Sequence, residues 1–179
     1  MPTFANWLGN LLQQNELEVQ RLLADETALH FLLAWSLFES KCFRGELNAK
    51  KLGEFSENLA GRQDAPLDSL RGPAEHFHSR YQDPQKLSNL MPKDKTRKEV
   101  VVEFKKCLNV PFDQLSRTQI IFLVAVVVYR FRNNIFHGAK GVGSWLRYKE
   151  QIRLCIGSMQ TFVSHAETQS PTMRIQAAA

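Results

Sequence analysis

The stretch IIFLVAVVVYRFRNNIFHG, from Ile120 to Gly138, decides the fold of this chain. Its first nine residues, Ile120–Val128, are apolar, and an apolar run of this kind is stable when it is buried on every side. The β-branched residues in the run would suit a strand as well as a helix. We predict a helix, because the run is longer than a typical strand and lies among other helical patterns. The end of this helix then turns basic and polar, with two arginines, two asparagines and a histidine within eight positions.

The rest of the chain has helical periodicity, and no segment alternates apolar and polar residues as a strand would. A loop is predicted at residues 82–94, which contain Pro84 and Pro92 and no regular pattern. The helix predicted from Ala28 to Phe43 is apolar on most sides and is expected to be central. The sequence therefore predicts an all-α fold with one helical domain, residues 1–165, and a flexible C-terminal tail, residues 166–179. Helices are predicted at residues 3–24 with a break near Asn15, at 28–43, at 46–60, at 67–81 with an interruption or kink at Gly72-Pro73, at 95–108, at about 116–131 and at 144–165.

Length and composition fit one folded domain. The chain has 179 residues, of which 44% are hydrophobic, and its net charge of +5 is compatible with a polyanionic partner without requiring one. Cys42, Cys107 and Cys155 lie far apart, so they are expected to be reduced thiols of a cytoplasmic protein. No signal peptide is expected at the N-terminus. The apolar run is about half of the roughly 20 residues that span a bilayer, so no membrane contact is expected either.

The polar end of the central helix brings cationic and titratable groups together along the chain. On an ideal helix, Arg132 and His137 point about 140° apart, whereas Arg130 and His137 share a face. An arginine can bind a phosphate through two hydrogen bonds, and a histidine can transfer a proton near neutral pH. One histidine cannot easily take the proton from the ribose 2′-hydroxyl and also give one to the leaving 5′-oxygen of RNA. Two copies across a two-fold axis can do both. From the residues alone, an arginine and a histidine at the end of a core helix are more often partners of the helix dipole than catalysts.

Two segments carry a resemblance to a known family. The pattern Arg132-Asn133-x-x-x-His137, within the phrase RFRNNIFHG, resembles the Arg-polar-x3-His signature of the HEPN superfamily of α-helical domains. The predicted helix Ala28–Phe43, which is rich in aromatic residues and has an internal acid, is similar to an early helix of several such families. The resemblance covers roughly residues 20–165, but only the motif matches residue by residue.

The resemblance implies a metal-independent endoribonuclease that acts as a homodimer with a composite active site. Arg132 would hold the phosphate, His137 would transfer protons, and Asn133 would position one of them or the RNA. The products would be a 2′,3′-cyclic phosphate and a 5′-hydroxyl, with no cofactor. Such domains are frequent in bacterial toxin–antitoxin and phage-defence systems. Some relatives keep the fold but only bind nucleotides or protein partners, such as an antitoxin or a larger effector, so a catalytically inactive module is the alternative.

Further candidates surround the motif. Glu39 is an acid within an apolar helix, and it would either pair with Arg132 or Arg130 and orient that residue, or lie on a solvated face. Six basic residues against one acid between residues 130 and 153 indicate either an RNA-binding surface or an ordinary charged face. His76 and His78 have no neighbouring cysteine or acidic cluster, so no metal site is expected there. The predicted substrate-binding residues are Arg130, Lys140 and Arg147.

Overall fold

In the computed structural model, which describes residues 3–92, 96–136 and 147–167, all regular secondary structure is helical, and these ranges contain no β-strand. This confirms the predicted all-α class. The helices are α1 (Phe4–Leu12), α2 (Glu16–Leu23), α3 (Thr27–Phe43), α4 (Ala49–Ala60), α5 (Leu67–Arg80), α6 (Pro84–Leu90), α7 (Lys98–Asn109), a 3₁₀ turn (Phe112–Gln114), α8 (Arg117–Phe136) and α9 (Lys149–Glu167).

Helix α8 is the central element, and its start is fixed by the two side chains of a capping box. The backbone N–H of Gln119 donates to Ser116 Oγ at 3.2 Å, and the backbone N–H of Ser116 donates to Gln119 Oε1 at 2.9 Å. These bonds satisfy donors that the first turn of a helix leaves unpaired. From Leu123 to Val128, every side chain is fully buried. The predicted helix is therefore confirmed, and it continues to Phe136, beyond the predicted end near residue 131.

The helices around α8 form one core. Helices α4 and α5 pack along α8, α6 and α7 contact it, and α9 lies between α3, α5 and α8. The Phe38 ring on α3 is at the centre of an aromatic cluster, with ring centroids 5.1–6.1 Å from those of Trp35, Phe43, Phe55 and Phe162. These rings join α3, α4 and α9.

The N-terminal helices carry a second apolar face that the described residues leave uncovered. Nine large apolar side chains on α1, α2 and α3 are each 46–63% exposed. The prediction that the helix at 28–43 is central is therefore wrong for this side of α3, although its opposite side, with Phe31 and Phe38, is fully buried. We call the following nine side chains the N-terminal apolar surface: Phe4, Trp7, Leu11, Leu17, Leu23, Leu29, Leu32, Leu33 and Leu37.

The predicted loop at residues 82–94 is wrong, because α6 lies within it. Asp83 accepts hydrogen bonds from the backbone N–H groups of Gln85 and Lys86, at 2.9 and 3.2 Å, and Pro84 occupies the first helical position. Proline is favoured there because the first turn does not need its missing N–H. The Asp-Pro pair is thus a helix start and not a loop signal.

Other boundaries are close to the predictions. The break near Asn15 is confirmed, since Asn15 caps α2 by accepting from the backbone N–H of Glu18 at 3.0 Å. Helix α5 runs through Pro73 as one element, so the chain is not interrupted there, and the alternative of a kink stays a prediction. The predicted start of the last helix at residue 144 lies outside the described residues, and so does the tail beyond residue 167. Cys42, Cys107 and Cys155 are free thiols. Among the described helices, none combines the length and hydropathy that crossing a bilayer requires.

An ion pair between Asp25 and Lys149 ties the start of α3 to the start of α9. The Asp25 side chain is only 9% exposed, and its Oδ1 also accepts from the backbone N–H of Thr27 at 2.9 Å. Burial alone would raise the pKa of Asp25, but the hydrogen bonds from Lys149 and Thr27 outweigh it and lower the pKa to about 2. The carboxylate therefore stabilises the folded state.

Asp25→Asn is expected to lower the free energy of unfolding by about 2 kcal/mol near neutral pH, and by much less near pH 2. Because the folded-state pKa lies below the ordinary value of 3.8, the stabilisation is fully present above that value and is lost as the pH falls toward about 2. Urea unfolding of both proteins at the two pH values measures the difference. Asp113→Asn, which changes an exposed carboxylate, is the control. An equal destabilisation at both pH values would contradict the role of the charge.

Candidate active site

Arg132 lies on the last turns of α8 and is held against α3. Its guanidinium carbon is 5.5 Å from the centroid of the Trp35 ring, and its Nη1 donates to Asn133 Oδ1 at 3.1 Å. Trp35 is buried, whereas Arg132 and Asn133 are half-buried. A guanidinium stacked on an indole keeps its charge while its orientation is restricted. The motif arginine is thus placed at the boundary between the core and the surface, in a restrained orientation.

Glu39 acts on this arrangement through Trp35. The indole Nε1 of Trp35 donates to Glu39 Oε2 at 3.1 Å. Among the described residues, no ion pair joins Glu39 to Arg132 or Arg130, and the role of Glu39 in orienting one of them stays a prediction. The carboxylate fixes the ring on which Arg132 stacks. Sequence reasoning missed Trp35, although its position four residues before Glu39 places both on one side of α3.

Arg130 and Asn134 form a buried cap on the end of α6. Arg130 Nε donates to the carbonyl of Leu90 at 3.1 Å, and its Nη2 donates to Asn134 Oδ1 at 3.1 Å. Asn134 Nδ2 donates to the same Leu90 carbonyl at 3.1 Å and to that of Asn89 at 3.4 Å. Carbonyls in the last turn of a helix have no partner within the helix, and these side chains supply one.

The cap gives Arg130 an interior position. The residue is 3% exposed, and burial lowers the pKa of its guanidinium. Two of its nitrogen atoms are directed at groups inside the fold and not at solvent. The geometry therefore indicates a structural residue, and the predicted contact of Arg130 with substrate stays a prediction without support from its position.

The remaining predicted site residues are only partly covered by the structure. His137 directly follows the last residue of α8, and both His137 and Lys140 lie outside the described residues. Arg147 is exposed, as expected for a residue that contacts RNA. Lys149, one of the six basic residues, is engaged with Asp25. The structure thus brings Arg132 and Asn133 together with Trp35 and Glu39, and it leaves the roles of His137, Lys140 and Arg147 untested.

A small cleft adjoins the buried cap on the side of α8 that faces α5 and α9. Its accessible volume of about 30 Å³ is enough for about two water molecules. The Nε atom of Arg80 is buried and has no hydrogen-bond partner among the described residues. The cleft is lined by Arg80, Tyr81, Lys86, Asn89, Leu90, Phe131, Asn134, Ile135, Tyr148 and Ile152.

The chain matches no protein-family model, no curated protein and no solved structure. The resemblance to the HEPN superfamily therefore stays a prediction, while the all-α class is confirmed. In the part of the chain that the structure describes, no group of three or more His, Cys, Asp or Glu side chains is placed to hold a metal ion. Function has to be inferred from the residues around Arg132.

Proposed function

We propose that the chain is a metal-independent endoribonuclease of the HEPN type, with Arg132 and His137 as its catalytic residues. The observation that carries this proposal is the placement of Arg132. Near the end of a helix whose middle is fully buried, a half-buried guanidinium is stacked on Trp35 and bonded to Asn133, five residues before a histidine. A guanidinium restrained before substrate arrives is suited to stabilise charge on a phosphate.

The reaction that these residues support is a transfer within the RNA chain. The ribose 2′-hydroxyl loses its proton to a base and attacks the adjacent phosphorus, and the bond from phosphorus to the 5′-oxygen breaks as that oxygen gains a proton. The products are a 2′,3′-cyclic phosphate and a 5′-hydroxyl. His137 serves as the proton-transfer group. Arg132 offsets the charge that builds on the phosphate oxygens, and Asn133 positions Arg132 through the bond to its Nη1.

Two copies of the motif are needed for one complete reaction. One His137 takes the proton from the 2′-hydroxyl, and the partner copy's histidine gives a proton to the leaving oxygen. We therefore propose a homodimer with a composite site, with Lys140 and Arg147 as further contacts to RNA. A ribonuclease of this kind suits a cytoplasmic role in a bacterial toxin–antitoxin or phage-defence system, with an antitoxin or an effector as a protein partner.

Purified protein incubated with bulk RNA in EDTA is expected to release fragments that end in 2′,3′-cyclic phosphate and 5′-hydroxyl groups. Treatment of the fragments with a kinase and with a cyclic phosphodiesterase identifies both ends. The same assay with a DNA copy of the substrate is the control, since DNA has no 2′-hydroxyl and should stay intact. RNA that stays intact, or fragments with 5′-phosphate ends, would contradict the proposed reaction.

The second candidate is a catalytically inactive HEPN-like module that binds a protein partner. The N-terminal apolar surface favours it, because exposed apolar patches of this size mark sites of association. An inactive module predicts a stable complex with another protein and no RNA cleavage under any condition. The RNA assay described above therefore separates the two candidates.

A further inference from the structure

We infer that the N-terminal apolar surface is the contact between two copies of this chain, with helix α3 of each copy packed against α3 of the other. The exposed apolar side chains are clustered in one part of the sequence. Of the large apolar side chains that are strongly exposed in the described residues, all but Val102 lie between residues 4 and 37. A helix that is apolar on all sides is normally buried on all sides. Since the described residues cover only one side of α3, the other side is available to a second molecule.

The geometry of α3 supports a flat contact along the helix. Leu29, Leu33 and Leu37 are spaced by four residues and therefore form one stripe, which lies opposite the buried side that carries Phe31 and Phe38. The stripe runs for more than two turns of the helix. Five further exposed apolar side chains lie on the hairpin of α1 and α2.

The size of the surface matches what a dimer needs. Nine side chains that are about half exposed leave on the order of 800 Å² of apolar surface, which is about the share that each partner contributes to a stable interface.

The charges of α3 favour a second copy as the occupant. Around a two-fold axis each residue meets the same residue of the other copy, so a charged side chain near the axis would meet a like charge. The exposed positions between the leucines are Ser36 and Ser40, which are uncharged. The charged or titratable residues His30 and Lys41 lie at the edges of the stripe. A partner of opposite charge would find nothing to pair with in the middle of this face.

The contact would also bring two candidate active sites together. Leu32 and Ser36 are exposed, and they are three residues before Trp35 and Glu39, so they border the ring on which Arg132 stacks. Two α3 helices packed face to face would place both Arg132 side chains at the edge of the same interface. This last step rests on the proposed function, whereas the self-association does not.

The mass of the protein in solution tests the inference. Sedimentation velocity should give twice the 20.6 kDa of one chain for the wild type. The double variant Leu33→Glu and Leu37→Glu should sediment as a monomer, with association weakened by more than about 100-fold. Val102→Glu is the matched control, because Val102 is 51% exposed but lies on α7, and this variant should remain dimeric. Circular dichroism of each variant reports whether it is folded.

A cross-linking variant keeps the inference testable if the double variant does not fold. Ser36→Cys should form a disulfide between two chains under mild oxidation, because Ser36 lies in the middle of the exposed stripe, whereas the wild type should stay unlinked under the same conditions. A wild type that is monomeric, a double variant that stays dimeric, or absence of the Ser36→Cys cross-link would overturn the inference. A dimer that does not cleave RNA would leave the contact intact and refute the nuclease. A monomer that cleaves RNA would overturn both the contact and the composite site of the proposed function, and would leave only the cleavage reaction standing.

Discussion

RNA cleavage should slow by about 100- to 10,000-fold when His137 is replaced with alanine, since a positioned proton-transfer group contributes a factor of that size. In the proposed reaction the same residue serves as base in one copy and as acid in the other. Alanine removes both proton transfers from a symmetric dimer. Initial rates on a labelled RNA in EDTA measure the effect, and the mass of the variant should stay that of the wild type.

Arg132→Ala should lower the rate by about 100- to 1,000-fold, which is the usual cost of removing one group that stabilises charge in the transition state. The variant that combines Arg132→Ala with His137→Ala should be little slower than His137→Ala alone, because residues that act as a unit do not contribute additively. Arg71→Ala is the matched control. The guanidinium carbon of Arg71 is 5.3 Å from the centroid of the Phe112 ring, so this variant also removes an arginine stacked on an aromatic ring, but outside the site.

His76→Ala serves as the second control, because His76 is a histidine on α5 and not on the α3 face that is proposed to join two copies. Both control variants should cleave at the wild-type rate. If His137→Ala retains that rate, proton transfer by this residue is wrong. If only Arg132→Ala loses activity, the arginine acts without the histidine, and a different base must be sought.

The central helix shows why part of the fold was predictable. Residues 120–128 are buried almost completely, and burial on all sides hides the periodicity that separates a helix from a strand. The helical patterns on either side decided the matter correctly. By contrast, α6 was missed because Pro84 was counted as a loop residue, although after an N-cap such as Asp83 it starts a helix.

From the sequence, only the parts of the site that are close to each other along the chain could be predicted. The motif placed Arg132 at the end of α8, but its contact with Trp35 depends on how α3 packs, and the sequence does not give that packing. Glu39 is recognisable in the sequence as an unusual acid, but its bond to Trp35, the ring on which Arg132 stacks, was not predicted. The exposed side of α3 was not predictable either, because an apolar stripe looks the same whether the core or a second molecule covers it.

Arg130→Met should lower the free energy of unfolding by about 2–4 kcal/mol, because it removes hydrogen bonds from groups that stay buried. Methionine keeps most of the apolar stem, so the loss of packing is small. The substitution removes two hydrogen bonds of 3.1 Å, one from Arg130 Nε to the Leu90 carbonyl and one from Arg130 Nη2 to Asn134 Oδ1. Asn134 is only 5% exposed, so water cannot easily replace that donor. Urea unfolding at neutral pH measures the change, and Arg153→Met, at an exposed arginine on α9, is the control.

The same variant decides between two roles for Arg130. A structural cap predicts that Asn134→Ala and Arg130→Met destabilise the protein less in combination than the sum of their separate effects, because both act on the end of α6. It also predicts that Arg130→Met, assayed at a temperature where it is folded, binds RNA as tightly as the wild type. A substrate contact predicts the opposite: normal stability and weakened binding of RNA. Since the guanidinium is 3% exposed and directed at Leu90 and Asn134, the loss should be in stability.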